Sequence, residues 1–124
     1  MTISQAITHF DTLTPNQIGI PIKVAWLSSL DSQIHREILS THEGTVPVSF
    51  TGYTAETDVD TPLLVPHPYD GIYRWYLEMM VWDTLSETAK YNNAAQKYNT
   101  ALISYMDHIN RTHTPRGSRG LRLV

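Results

Sequence analysis

The chain has 124 residues, of which 41% are hydrophobic and 17% are charged. This length corresponds to one domain, and this composition is typical of a globular protein rather than a disordered one. The chain has no cysteine, which excludes disulfide frameworks, cysteine-ligated zinc or iron–sulfur sites and thiol catalysis. No apolar run reaches the roughly 18 residues of a membrane helix, and the amino terminus lacks a signal-peptide pattern. We therefore expect a soluble protein that is made in the cytoplasm and does not bind a membrane.

Charge is divided unevenly along the chain. Residues 111–124 contain four arginines and no acidic residue, whereas residues 1–110 carry a net charge of −7 within a total of −3. An acidic body argues against general nucleic-acid binding, and the contrast indicates that body and tail contact different surfaces. We therefore distinguish a helical domain, residues 1–111, from a basic C-terminal tail, residues 112–124. The four arginines of the basic end are Arg111, Arg116, Arg119 and Arg122.

The first half of the chain predicts two helices and a loop. Thr2 and Gln5 form a capping-box pattern that begins a short helix ending near Leu13. Pro21 suits the first turn of a second helix, which we expect to run to about His42 with one apolar stripe. Residues 44–66 are rich in proline, which disfavours helix, so they predict a long loop, with a short β-hairpin within it as the alternative.

The second half predicts more helix. Pro68 and Asp70 suit the first turn of a third helix. The apolar stripe of a later segment continues the helical spacing of the stripe of the third helix. Residues 69–111 therefore form either one long helix or two antiparallel helices broken at Asn92-Asn93. We favour the break, because asparagine is a good cap and a poor mid-helix residue. The predicted fold class is all-α, a small bundle of about four helices with a long loop and an extended C-terminal tail.

The third helix has apolar residues on two sides. At about 100° per residue most of them lie on one stripe, whereas Trp75 and Trp82 lie roughly opposite. A small bundle covers one side of a helix well but seldom both, and two exposed indoles would form an adhesive patch. We interpret Trp75 and Trp82, with Phe50 and Tyr53 of the loop, as a subunit interface covered by neighbouring copies. The alternative is that loop 44–66 covers the tryptophans within one chain.

No catalytic or cofactor-binding pattern is present. Walker, G-x-S-x-G, H-E-x-x-H and EF-hand motifs are missing. His35 and His42 share a predicted helix face near Glu43, but at seven residues apart they are about 10 Å distant, too far to converge on one zinc ion. We therefore predict no catalytic residue, no cofactor and no metal site.

Several motifs resemble those of a known family. The longest is DTPLLVPHPYDGIY at residues 60–73, followed by YLE at residues 76–78. WLSSLD at residues 26–31, KYNN at residues 90–93 and NRTH at residues 110–113 extend the likeness over nearly the whole chain. In combination these motifs resemble small head–tail connector proteins, also called adaptor or head-completion proteins, of long-tailed phages and prophages of Gram-positive bacteria.

This resemblance implies a mostly helical, non-catalytic virion protein in the neck between head and tail, made in the host cytoplasm. It implies a ring of twelve copies beneath the portal protein that extends the DNA channel and meets the next neck or tail-completion protein. Double-stranded DNA would pass through this channel without sequence-specific binding. C-terminal segments of such connectors commonly contact the portal, so the resemblance makes the tail arginines candidates for that interface; they are Arg111, Arg116, Arg119 and Arg122.

Two other functions stay open at this point. One is a tail-completion or tail-terminator protein, which would associate with tail tubes instead of capsids. The other is a small nucleic-acid-binding module in which the tail arginines contact phosphates, although the acidic body disfavours it.

Overall fold

Four α-helices form the fold in the computed structural model, which describes residues 1–116. They are α1 (Ile3–Leu13), α2 (Ile20–Ile34), α3 (Ile72–Thr84) and α4 (Thr88–Thr112), and a π-helical segment (His35–Leu39) continues α2. The all-α prediction is confirmed. The β-hairpin alternative for residues 44–66 is wrong, because the described part of the chain contains isolated bridges but no β-strand.

Helix α1 begins with the predicted capping box. The Thr2 side chain accepts the N–H of Gln5 at 3.1 Å, and the Gln5 side chain accepts the N–H of Thr2 at 2.9 Å. Two loop carbonyls, those of Val59 and Thr61, accept the next free amide groups of the helix at 2.8 and 3.1 Å. The first turn of α1 therefore also fixes the position of the second half of the loop.

Helix α2 ends earlier than predicted. Pro21 lies in its first turn as expected, but the regular α-helix stops at Ile34, and the π-helical segment replaces the helix predicted to reach His42. Ser40 and Thr41 each donate a hydroxyl hydrogen bond to a carbonyl of the preceding turn, at 2.7 and 2.8 Å. Hydroxyl groups that occupy carbonyls in this way compete with a further helical turn, so the π-helical segment ends at Leu39 and does not continue to His42.

Helix α3 begins at Ile72 and not at Pro68. The N–H of Tyr69 donates to the carbonyl of Pro66 at 2.8 Å, which closes a turn before the helix. Pro68 therefore belongs to the turn that leads the chain into α3, and the predicted helix start is four residues early.

The break between α3 and α4 exists, but its predicted position is wrong. It lies at Leu85–Glu87, and Asn92-Asn93 lies inside α4. Ser86 has a left-handed φ of 60°, and the N–H groups of Ser86 and Glu87 donate to the last turn of α3 at 3.2 and 2.9 Å. These two bonds form a Schellman motif with serine where glycine is usual.

Helix α4 runs antiparallel to α3. The ring centroids of Tyr76 and Tyr98 are 5.3 Å apart, and those of Tyr69 and Tyr105 are 5.8 Å apart, so later residues of α4 meet earlier residues of the α3 region. The core lies among all four helices and the loop. Its fully buried members include Ile3, Phe10, Leu27, Leu30, Ile34, Val65, Ile72, Tyr73, Leu77 and Val81. A single chain therefore closes its own core.

Candidate subunit and partner interfaces

Trp75 is half-buried between α3 and α4, with two cations over its ring. The guanidinium carbon of Arg74 lies 4.1 Å from the ring centroid, and Nζ of Lys97 lies 4.4 Å from it. Cations at this distance are attracted by the negative face of the indole. Arg74 also faces Glu78 across 3.7 Å, whereas Lys97 is exposed. The ring is thus partly shielded by its own chain and partly open to solvent.

A groove of about 530 Å³ opens beside Trp75 along the outer face of α4. It is lined by Trp75, Asn93, Gln96, Lys97, Thr100, Ala101 and Ser104. These residues supply one aromatic ring, one cation and a row of amide and hydroxyl groups, and none of them is acidic. We call this surface the Trp75 groove. It suits an incoming segment that carries negative charge and free backbone hydrogen-bonding groups.

Trp82 also has a lysine over its ring, but acidic residues lie beside it. Nζ of Lys90 lies 4.4 Å from its ring centroid. Asp83 and Glu87 line the depression beside this ring, so the lysine charge is offset there, in contrast to the Trp75 groove. Residues of α3 and α4 line both depressions, and the turn between the two helices adds Ser86 and Glu87 to the one beside Trp82. It is therefore α4, and not loop 44–66 as the sequence alternative held, that flanks the two indoles.

The loop aromatics lie closer to the core than expected. Tyr53 is only 8% exposed, its N–H donates to Ser28 Oγ at 2.9 Å, and its hydroxyl donates to Asp31. Phe50 is half-buried and meets the Tyr53 ring edge-on at 5.1 Å. Tyr53 therefore belongs to the core of one chain, which corrects its expected place on an exposed interface, whereas Phe50 keeps part of its ring accessible.

Asp31 is the centre of a buried network that the sequence analysis missed. Its carboxylate accepts the hydroxyl of Tyr73 at 2.7 Å, the hydroxyl of Tyr53 at 2.5 Å and the N–H of Leu64 at 3.1 Å. The Tyr73 hydroxyl in turn accepts the N–H of Val65 at 2.8 Å. Burial raises the pKa of Asp31 above its ordinary value, and the three hydrogen bonds oppose that rise only in part. One carboxylate thus holds α2, α3 and two parts of the loop together.

Backbone hydrogen bonds anchor the start of the C-terminal tail. Two of them join residues 41–43 to residues 114–116, at 2.6 and 2.8 Å. Beside them the buried His42 ring makes a 2.7 Å hydrogen bond to the side-chain oxygen of Asn110. The chain therefore leaves α4 along a defined path next to the end of the π-helical segment.

The candidate portal contacts divide into two pairs. Arg111 lies in the last turn of α4 and Arg116 is the last of the anchored residues, and the side chains of both are exposed. Arg119 and Arg122 lie outside the described residues. The structure thus positions two of the four arginines, at the base of the tail.

The sequence-level metal candidates are separated in the structure. His35 Nε2 makes a 3.1 Å hydrogen bond to the carbonyl of Pro47, whereas His42 is directed to Asn110. Within residues 1–116, no group of three or more histidine and acidic side chains is arranged to hold a metal ion. In the same part of the chain, no helix combines the length and the hydropathy that crossing a membrane requires.

No family model matches the chain, and no match was found among curated proteins or solved structures. The surfaces of residues 1–116 and the motifs of the sequence are therefore the grounds for a functional proposal.

Proposed function

We propose that the chain is a structural, non-catalytic connector subunit that assembles with other copies into a ring beneath the portal of a long-tailed phage. The observation that carries this proposal is the Trp75 groove, an open surface with a half-buried indole and an exposed lysine beside a closed helical core. Exposed aromatic surface of this kind is typical of protein–protein interfaces. The sequence motifs shared with head–tail connectors support the same role.

A second surface suits a different protein. Val46 and Val48 near the start of the loop are 78% and 91% exposed. Val46 also borders a groove of about 290 Å³ that it shares with His108, Ile109 and His113 at the end of α4. This apolar surface adjoins the base of the arginine tail, so the two together can bind one partner. We assign the portal protein to this end of the molecule.

Charge supports the assignment of body and tail. Arginine pairs with carboxylates through two parallel hydrogen bonds, so an arginine tail suits acidic groups on a partner protein. The body of net charge −7, in contrast, disfavours contact with phosphates. A ring lined by such bodies would let duplex DNA pass without retaining it.

Co-purification with virion components tests the proposed role. The tagged chain is produced during assembly of a long-tailed phage that encodes it, and its complexes are isolated and imaged by electron microscopy. We expect it to elute with portal-containing capsids and to form a ring with a central channel. Elution with tail tubes alone would replace the proposal with a tail-completion or terminator role. Salt-sensitive binding of duplex DNA by the isolated chain would instead favour the nucleic-acid module.

Two tail variants test the portal contact. Deletion of residues 117–124 removes two arginines but keeps the anchored residues 114–116. A variant with Arg116, Arg119 and Arg122 all changed to glutamine keeps the full length and removes the charge. We expect both to lose binding to purified portal in a mass measurement, whereas the matched control Lys90→Gln keeps it. Unchanged binding in both tail variants would remove the tail from the proposed interface.

A further inference from the structure

We propose that the Trp75 groove receives an acidic turn, residues 56–60, from a second copy of this chain. The proposal rests on the connector function above and specifies one contact between neighbouring copies of the ring. It commits to one occupant because the chain itself carries a hydrogen-bonded segment whose charge complements the groove.

The acidic turn is held in shape by hydrogen bonds. The side chain of Asp58 accepts the N–H of Asp60 at 2.9 Å, and the carbonyl of Asp58 accepts the N–H of Thr61 at 2.9 Å. The carbonyl of Val59 is bound by the first turn of α1 at 2.8 Å. Because the turn is ordered before it binds, little conformational entropy is lost when it docks.

No ion pair within residues 1–116 compensates the charge of this turn. Glu56, Asp58 and Asp60 are all exposed, and none of them takes part in an ion pair among residues 1–116. Val59 stands between the two aspartates and is 46% exposed. The turn thus presents an apolar side chain flanked by carboxylates.

The Trp75 groove offers the complementary chemistry. Lys97 is exposed, and no acidic residue lines the groove with it, so its charge is available to a carboxylate of the turn. Trp75 offers apolar surface to Val59. Amide and hydroxyl groups, such as those of Gln96 and Ser104, can bond to the free backbone groups of the turn. Opposite charges around an apolar contact favour one docking orientation over others.

The proposed contact has the symmetry that a ring requires. The turn lies at the start of α1, whereas the groove lies on α4, so the two surfaces are different parts of the chain. Each copy then uses its groove for one neighbour and its turn for the other. Contacts of this heterologous type form rings when the rotation between copies closes and filaments when it does not, whereas contacts between identical patches stop at dimers.

Disulfide cross-linking gives a direct test, because the chain has no cysteine of its own. One chain carries Val59→Cys, and an isotopically heavier chain carries Ser104→Cys in the groove. The two are mixed at the highest concentration at which they stay soluble and are then oxidised. We expect a disulfide-linked dimer whose mass contains one light and one heavy chain. The matched control replaces Ser104→Cys with Gln17→Cys, an exposed position between α1 and α2.

Charge reversal identifies the groups that make the contact. Lys97→Glu in the heavy chain is expected to lower the yield of mixed dimer about tenfold, since repulsion replaces attraction. Adding Glu56→Lys and Asp60→Lys to the light chain is expected to restore it. Lys90→Glu, which reverses the charge beside Trp82 instead, should leave the yield unchanged. A mixed dimer no more abundant than with Gln17→Cys, or one insensitive to Lys97→Glu, overturns the proposed docking.

Failure of this contact is distinguishable from failure of the connector role. If the ring still forms with Lys97→Glu and the cross-link does not form, the connector role stands and the Trp75 groove is not a subunit contact. If the cross-link forms as expected but the chain never joins portal-containing particles, the turn-to-groove contact stands and the connector role is wrong.

Discussion

Two regions of this molecule combine aromatic rings with charged groups, and they do so in opposite settings. Around Asp31 the carboxylate is fully buried, and two tyrosine hydroxyls and a backbone N–H are directed at it. Around Trp75 the ring is half-buried, and Lys97 over it is exposed. The first region closes on itself, whereas the second keeps one side free. The two regions contain similar residue types, so residue type alone does not distinguish a buried network from an open surface. The solvent exposure of the side chains distinguishes them.

Desolvation explains why the two regions should respond differently to substitution. A buried carboxylate has lost its hydration, so removing it leaves several buried donors without an acceptor. An exposed cation over an indole contributes only about 0.5–1 kcal/mol, and its removal leaves no buried group unpaired. We therefore expect changes near Asp31 to alter the free energy of unfolding, and changes near Trp75 to alter association.

The largest expected effect is that of Asp31→Ala. This substitution leaves the hydroxyls of Tyr53 and Tyr73 and the N–H of Leu64 without their acceptor, and we expect a loss of about 3 kcal/mol or more in unfolding free energy. Urea denaturation followed by circular dichroism measures it. Asp107→Ala, at an exposed position of α4, is the matched control and should change stability little. Equal losses in the two variants would contradict a central role for Asp31.

The two tyrosines of the network should differ from each other. Tyr73→Phe removes a donor to Asp31 and an acceptor for Val65, whereas Tyr53→Phe removes one hydrogen bond. We expect losses of about 2 kcal/mol for Tyr73→Phe and about 1 kcal/mol for Tyr53→Phe. The same denaturation experiment compares them. If the two losses are equal, the bond to the loop backbone at Val65 contributes nothing to stability.

A smaller effect should appear in the pH dependence of stability. Because the pKa of Asp31 is raised in the folded chain, the folded state keeps this proton to a higher pH than the unfolded state does. The resulting stabilisation is complete below the unfolded pKa and is lost as pH rises through the folded pKa. The stability of the native chain relative to Asp31→Asn should therefore increase on going from neutral to mildly acidic buffer. Urea titrations of both chains at the two pH values measure it, and the opposite trend would show that the hydrogen bonds outweigh burial.

Local sequence signals were sufficient where local chemistry decides the structure. The capping box of Thr2 and Gln5 places the start of α1, because both of its bonds are made within one turn. The break after α3 was misplaced for the opposite reason. Ser86 adopts the left-handed conformation that sequence patterns assign to glycine or asparagine, and the asparagines at 92 and 93 lie within α4.

The two regions were unequally visible in the sequence. The position of Trp75 off the main apolar stripe follows from helical periodicity, but Lys97, one of the two cations over its ring, comes from α4, whose register depends on the misplaced break. One sequence feature points to the Asp31 network, because Asp31 is an acidic residue within the apolar pattern of α2. Its partners Tyr53 and Tyr73 are 22 and 42 residues away, so no local pattern could join them. Long-range polar contacts are thus the part of the structure that local sequence patterns do not predict.

The smallest expected effect on stability is that of Lys97→Met. The substitution removes one of the two cations over Trp75 but keeps an unbranched side chain of similar reach, so we expect a change of less than about 1 kcal/mol in unfolding free energy. Urea denaturation followed by tryptophan fluorescence measures it, and Lys90→Met beside Trp82 is the matched control. The same Lys97→Met chain should lose most of its cross-linking between copies, because the charge that attracts the acidic turn is gone. A loss of stability as large as that of Tyr73→Phe would place Trp75 in the core, and the contrast between a closed and an open aromatic region would no longer hold.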